Sequence, residues 1–173
     1  MPSILKITRS CISLILAVAL TSCSGYTLGT AKPKALSGID NIYIPIVENK
    51  TQVIKLSPQV TNSLTRAINS DGSYEVTNAA QADATLKVVI KTVDYDEFRS
   101  SRLDTLLAEE LTATIQTSWK LIDNQSNVLL SGSSSGSTRF FQGSNQRLSR
   151  DDSIFDAVDN LARNITSRIS HGF

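Results

Sequence analysis

The chain has 173 residues, of which 40% are hydrophobic and 19% are charged, and this composition excludes a disordered or collagen-like chain. One histidine and two cysteines give almost no material for a Cys/His zinc site or for Cys-His catalysis. The formal net charge of +1 gives no global electrostatic reason to bind nucleic acid. We therefore expect no metal, no cofactor and no nucleic-acid partner.

The first 22 residues have the layout of a secretory signal peptide. Lys6 and Arg9 precede an apolar run over residues 11–20, and no acidic residue occurs before Asp40. The run is well short of the ~20 residues that a transmembrane helix needs, so we expect it to be cleaved. It ends in Leu20-Thr21-Ser22-Cys23, which resembles the cleavage box of bacterial lipoproteins.

Cys23 is the predicted lipidation site. Its thiol would carry a thioether-linked diacylglycerol, and several acyl chains on one residue, palmitate among them, give a stable membrane anchor. Ser24 follows instead of Asp, which in Gram-negative lipoproteins favours the outer membrane, facing the periplasm. An ordinary signal peptide with a chance cysteine is the alternative. The expected organisation is a cleaved signal peptide (1–22), a lipidated cysteine with a linker (23–37) and a single domain (38–173).

A strand is predicted over residues 39–47. Alternation places Ile42, Ile44 and Ile46 on one of its faces. Pro45 cannot donate a hydrogen bond to a neighbouring strand, so the pattern favours an edge position or a bulge there.

The next segment predicts a helix. Ser57 is expected as its N-cap and Pro58 as its first residue, while Asp71-Gly72 ends it. A short strand is predicted at 73–77. The apolar residues at helical spacing are Val60, Leu64, Ala67 and Ile68.

Three long strands follow, over residues 84–98, 110–123 and 128–138. Alternation in the first puts Leu86, Val88 and Ile90 on one face, and Lys87, Val89, Lys91 and Val93 on the other. The residues between the second and third strands, 123–127, are typical of a turn. These strands are expected to form an antiparallel meander with one buried face and one solvent-exposed face.

A second helix closes the chain. Ser149 to Asp152 are expected to cap it, and its apolar stripe comprises Ile154, Phe155, Val158, Leu161, Ala162, Ile165 and Ile169. The order of elements predicts an α+β fold: a two-layer sandwich with a mainly antiparallel sheet of about four strands and two helices on one face.

No pattern in the chain favours an enzyme. Neighbouring carboxylates could perform acid/base chemistry, but no partner base accompanies them. A structural role explains these carboxylates better: they keep the strand ends solvated, or they complement the positive end of the second helix in its first turn. These carboxylates are Asp94, Asp96 and Glu97, then Glu109 and Glu110, then Asp151 and Asp152.

Arg99 and Arg102 are the candidate ligand-binding residues. They lie in a loop with apolar neighbours between two long strands, and two guanidinium groups there could grip phosphate groups of a lipid. A solvated turn is the alternative. Arg139, Phe140 and Phe141 are candidate partner contacts, because adjacent strand residues face opposite ways and at least one aromatic side chain is then exposed.

The mature chain resembles a known family. Four segments carry the likeness in order and spacing: Cys23-Ser-Gly-Tyr-Thr-Leu-Gly29, Ile39-Asp-Asn-Ile-Tyr-Ile-Pro-Ile-Val-Glu-Asn49, Asp71-Gly-Ser-Tyr-Glu-Val76 and Ala82-Asp-Ala-Thr-Leu86. Together they are similar to the lipopolysaccharide-assembly lipoprotein family LptE. Ser24, inserted before the glycine, is a minor departure.

The resemblance implies a non-enzymatic outer-membrane lipoprotein that binds a large β-barrel of the LptD type. It would sit as a plug in the barrel, assist barrel assembly and help to insert lipopolysaccharide into the outer leaflet, with Arg99 and Arg102 in the region that contacts lipopolysaccharide. Two alternatives remain at this point. One is a periplasmic adaptor lipoprotein that regulates a cell-wall synthase or a secretion channel, and the other is a lipid-anchored hydrolase.

Overall fold

Short strands and a helix precede three long strands and a second helix. The computed structural model describes residues 32–99, 110–141 and 146–172, with only the backbone at 97–99 and 146–149. Residues 31–173 form one unit. The elements in the described ranges are a 3₁₀ turn (Lys34–Leu36), β1 (Asn41–Tyr43), β2 (Glu48–Asn49), α1 (Leu56–Asp71), β3 (Glu75–Val76), β4 (Ala84–Arg99), β5 (Glu110–Asp123), β6 (Val128–Phe141) and α2 (Gln146–His171).

The strands form one mixed sheet in the order β3-β1-β4-β5-β6, and β2 also pairs with β4. Strands β4, β5 and β6 pair antiparallel, which confirms the predicted meander. Strands β1 and β2 run parallel to β4, and β3 runs parallel to β1. The α+β fold is confirmed, but the sheet is mixed and larger than expected, because the crossover through α1 returns the chain parallel to β1.

The predicted first strand divides into β1 and β2 around Pro45. Ile42 and Ile44 are buried as expected. Ile46, expected on the same face, is 77% exposed, and Val47 is buried in its place. Proline has no N–H for the ladder, so the strand is interrupted and the alternation shifts by one residue.

Strand β4 contains a bulge that reverses the facing of its second half. The register with β5 shifts between Ile90 and Thr92, which makes Lys91 an extra residue. Val93 and Tyr95 therefore face the core, on the same side as Ile90. The prediction that Val93 lies on the opposite face is wrong for this reason.

Helix α1 begins earlier than predicted. Its N-cap is Lys55, at φ 71°, so Ser57 lies inside the helix, where its carbonyl oxygen accepts a hydrogen bond from the Thr61 hydroxyl. The predicted end is confirmed, since Gly72 adopts the left-handed conformation at φ 77° and donates to the Ile68 carbonyl oxygen.

Helix α2 also begins before its predicted cap. It starts at Gln146, so Ser149 to Asp152 lie within the helix, and its first turn contains no acidic residue. The predicted stripe is buried except for Phe155, which is 53% exposed. Phe155 directly follows the buried Ile154, and a step of about 100° around the helix turns it away from the core.

The core lies between the sheet and the two helices. Helix α2 packs on β5 and β6, and α1 packs beside α2. Gly136 allows α2 to approach β6 closely, because a Cβ atom on this residue would stand 2.6 Å from the Cβ of Leu161. The side-chain amides of Asn160 and Asn164 in α2 donate to the backbone carbonyl oxygens of Ser137 and Ser135 in β6, at 2.8 and 2.7 Å.

Candidate functional site

An aromatic cluster lies where β4 ends, β5 begins and β6 ends, near Arg99, Glu110 and Phe141. We call this end of the long strands the tip. The ring of Phe140 in β6 meets the ring of Tyr95 in β4 edge to face, with 6.2 Å between centroids. Arg150 of α2 places its guanidinium 5.4 Å from the centroid of the same tyrosine ring. The cluster joins the ends of β4 and β6 to the first part of α2.

The candidate partner contacts at the tip differ in exposure. Phe140 is partly buried by its contact with Tyr95, whereas Phe141 is 64% exposed and Arg139 is also exposed. Burial raises the pKa of the Tyr95 hydroxyl, the nearby Arg150 lowers it, and the Asp151 carboxylate raises it further. The tip therefore presents a neutral phenol beside the guanidinium group of Arg150.

The other candidate residues lie at or beyond the limits of the description. Arg99 is the last residue of β4 and pairs with Glu110 in the backbone register. Arg102 lies outside the described residues, as does the predicted lipidation site Cys23. Their roles stay predictions.

An exposed apolar surface lies beside the start of α1, and the sequence reasoning did not find it. Ile54 is 85% exposed, and with Phe155 it borders a cavity of about 540 Å³ that Lys55 and Asp151 also line. We call this surface the Ile54–Phe155 patch. In the sequence, Ile54 directly follows Val53, and Phe155 belongs to the predicted apolar stripe of the second helix, so neither residue indicates an exposed surface.

The loop that carries Ile54 is held by side-chain hydrogen bonds. The amide of Asn49 donates to the carbonyl oxygen of Val53 at 2.8 Å, and its oxygen accepts from the backbone and hydroxyl of Thr51. Lys55, at positive φ, then turns the chain into α1. The loop thus holds Ile54 in an exposed position.

The described residues begin at the opposite end of the domain. The Lys32 ammonium lies 4.8 Å from the centroid of the Tyr74 ring, and the Tyr74 hydroxyl donates to the carbonyl oxygen of Ile169. From Arg150 to Ile169, α2 rises about 28 Å at about 1.5 Å per residue. The tip and Lys32 therefore lie near opposite ends of α2.

A groove of about 450 Å³ between the helices contains structural contacts. Asp159 of α2 accepts hydrogen bonds from Ser63 at 2.6 Å and from Arg66 at 3.1 Å. At its other end Ser170 donates to Asp71 at 2.7 Å. The buried hydroxyl of Thr166 has no hydrogen-bond partner among the described residues. These carboxylates fasten one helix to the other.

The predicted carboxylate groups do not assemble a reactive site in the described part of the chain. Asp94 accepts a hydrogen bond from its neighbour Thr92, and Asp151 and Asp152 are exposed on α2. The interpretation that Asp151 and Asp152 lie in a first helical turn is wrong, because the helix begins at Gln146. In residues 32–99, 110–141 and 146–172, no group of three His, Cys, Asp or Glu side chains could hold a metal ion.

Comparison with known proteins identifies the family. The family model for LptE, lipopolysaccharide assembly, matches residues 39–169, which span every strand and nearly all of α2. The chain belongs to the LptE family. Members are non-enzymatic lipoproteins associated with the outer membrane. No curated protein sequence matches this LptE-family chain significantly.

Solved structures share the LptE-family fold at low identity. A protein from Xanthomonas campestris aligns with a TM-score of 0.56 and 13% identity, covering 80% of this chain and 86% of its own. The PelC dodecamer from Paraburkholderia phytofirmans gives a TM-score of 0.52 at 16% identity, covering 82% and 94%. A minor lipoprotein from Acinetobacter baumannii gives 0.50 at 14%, covering 76% and 93%. At such identities the likeness concerns the fold alone.

The described helices of this LptE-family chain lack a membrane span. Neither α1 nor α2 contains a sufficiently long apolar window.

Proposed function

We propose that this chain is the lipid-anchored partner of an LptD-like outer-membrane β-barrel, in which it sits as a plug. In this role it assists assembly of the barrel and insertion of lipopolysaccharide into the outer leaflet. The observation that carries the proposal is the match to the LptE family over residues 39–169. The predicted acylation of Cys23 supplies the anchor.

The surfaces of the domain support this role. The sheet face opposite the helices, which we call the open face, consists mainly of hydroxyl, amide and lysine side chains, and such a surface suits a wet barrel interior. The Ile54–Phe155 patch offers a pre-ordered apolar contact for the barrel wall. At the tip, Arg139 and Phe141 are exposed, and we assign them with Phe140 to the same interface.

The lipopolysaccharide contact belongs to the end of β4 and the residues that follow it in the sequence. We assign it to Arg99 and Arg102, whose guanidinium groups suit bidentate bonds to phosphate. Replacing both by alanine should weaken lipopolysaccharide binding by the detergent-solubilised chain while thermal unfolding stays unchanged, since exposed-loop changes usually cost within about 0.5 kcal/mol. Arg163→Ala with Arg168→Ala, which removes two exposed arginines from α2, is the matched control. Unchanged binding by the Arg99/Arg102 variant would refute this assignment.

The barrel partnership is tested by purification from the native membrane. The tagged, acylated chain is extracted in mild detergent, washed at high salt, and the bound proteins are identified and quantified. One large outer-membrane barrel in equal amount supports the plug. A cell-wall synthase, a secretion channel or no partner would overturn it and favour the adaptor alternative. Cys23→Ala, expected to abolish acylation, shows whether the anchor is needed for the encounter.

A further inference from the structure

Two lysines stand directly opposite each other on the open face of the sheet. Lys87 of β4 pairs with Lys120 of β5 in the antiparallel register, and both side chains are exposed. Directly opposed side chains have their Cβ atoms about 4.5–5.5 Å apart, and like charges in such a pair are destabilising. The pair therefore repels unless an anion lies between the two ammonium groups.

No acidic side chain of the described residues neutralises this pair. Neither Lys87 nor Lys120 makes an ion pair there, and neither does Lys91, the exposed bulge residue on the same strand. The nearest acid on the neighbouring strand, Glu48, is bound to Lys50 at 3.5 Å. The surroundings of the pair thus carry a net positive charge.

The acidic residues on this face of the meander lie far along it. Asp94 follows Lys87 by about 20 Å at about 3.3 Å per residue, and Asp96 is further still. This distance exceeds the screening length of about 8–10 Å at physiological salt. The two ends of the open face are therefore electrostatically separate.

Hydroxyl and amide groups extend the surface from the lysine pair. Ser131 of β6 is the next residue across from Lys120, and the two rows beyond carry Ser118 with Ser133 and Gln116 with Ser135. A hydroxyl both donates and accepts hydrogen bonds, as the hydroxyls of a sugar do. An ammonium pair beside a hydroxyl surface complements a saccharide that carries a phosphate.

We propose that Lys87 and Lys120 bind a phosphoryl group of a phosphorylated saccharide whose sugar rings lie over the Ser118–Ser133 and Gln116–Ser135 rows. The site is separate from Arg99, which lies at the other end of β4. The inference deepens the proposed function by naming the part of lipopolysaccharide that the open face recognises, although it does not require a barrel. The ligand bridges the two charges and removes the repulsion between them.

The test is calorimetric titration of the acylated chain in non-ionic detergent. The probe is deacylated lipopolysaccharide oligosaccharide that retains its phosphates, compared with the same oligosaccharide after phosphate removal and with inorganic phosphate. Lys87→Gln with Lys120→Gln should raise the Kd at least tenfold, and the paired change to arginine should keep it within threefold. Lys34→Gln with Arg168→Gln removes two exposed charges elsewhere and should leave the Kd unchanged.

Three results would overturn the proposal. They are unchanged affinity in the paired glutamine variant, equal affinity for the dephosphorylated oligosaccharide, and equally tight binding of inorganic phosphate, which would leave the sugar without a role. Thermal unfolding checks that the glutamine variant is folded, and the loss of repulsion should leave its Tm unchanged or raised. Because no barrel is present, failure here leaves the purification result intact, and the converse also holds.

Discussion

Gly136 of β6 lies against Leu161 of α2, so close that a Cβ atom on the glycine would stand 2.6 Å from the Cβ of the leucine. Gly136→Ala should therefore push α2 away from the sheet and lower the free energy of unfolding by about 1–3 kcal/mol. Chemical denaturation measures the change. Gly38→Ala is the control, since a Cβ there meets nothing within 4 Å. Equal loss of stability in both variants would contradict the close-packing account.

Thr166→Val should leave the free energy of unfolding unchanged or raise it by up to about 1 kcal/mol. The Thr166 hydroxyl is buried without a partner among the described residues, so the methyl group removes a desolvation cost and no hydrogen bond. Ser170→Ala is the contrasting variant, because the buried Ser170 hydroxyl donates to Asp71 and its loss should cost about 1 kcal/mol. A clear loss of stability in Thr166→Val would show that the hydroxyl has a partner in solution.

Asp71 should make stability depend on pH. Burial raises the pKa of its carboxyl, but hydrogen bonds from Ser73 and Ser170 and the charge of His171 outweigh burial and hold the pKa below its ordinary 3.8. A lowered folded-state pKa stabilises the fold above the unfolded-state pKa, and this contribution is lost as the pH falls through the folded-state pKa.

Two other carboxyl groups also have lowered pKa values: hydrogen bonds, chiefly from Asn41, lower that of Asp83, and hydrogen bonds from Asn127 lower that of Asp123. Comparison with Asp71→Asn isolates the effect of Asp71 from theirs. The original chain should be more stable than the variant at pH 6, and the difference should shrink towards pH 3. Denaturant unfolding at several pH values measures it. A difference that stays constant over this range would show that the Asp71 charge has no part in it.

Ile54→Ser combined with Phe155→Ser should reduce barrel recovery at least fivefold without unfolding the chain. Both side chains are more than half exposed, so their contribution to the isolated fold is small. Val128→Ser is the matched control, since Val128 is 53% exposed on the open face. Quantified co-purification from native membranes provides the measurement. Undiminished recovery in the double variant would remove the Ile54–Phe155 patch from the interface.

The positions of the helices and long strands could be predicted because local signals fix them. Gly72 ends α1 as expected, and the residues of 123–127 form the expected turn, in which Asp123 accepts from the backbone of Gln125 and Asn127. The bulge at Lys91 could not be predicted. One face of the predicted strand carries both lysines and valines, so the pattern does not show which side of the sheet Val93 faces. Pairing with β5 decides the register.

The surfaces were harder to predict than the elements. Lys87 and Lys120 are far apart in the sequence, and only the strand register shows that they are opposite each other. Phe155 lies next to the buried Ile154 of the apolar stripe in the sequence, yet its position on α2 turns it away from the core and leaves it 53% exposed. For Arg99 and Arg102, the sequence identifies the loop but contains no signal for its geometry.

The contacts of Asn160 and Asn164 also affect how this chain behaves at high local concentration. An outermost strand with unsatisfied carbonyl groups is a template to which a strand of another molecule can add. In β6 the two amide groups already bind the carbonyl oxygens of Ser137 and Ser135. Those two carbonyl groups are thereby unavailable to a strand of another molecule, which disfavours sheet growth between copies of this chain along that stretch.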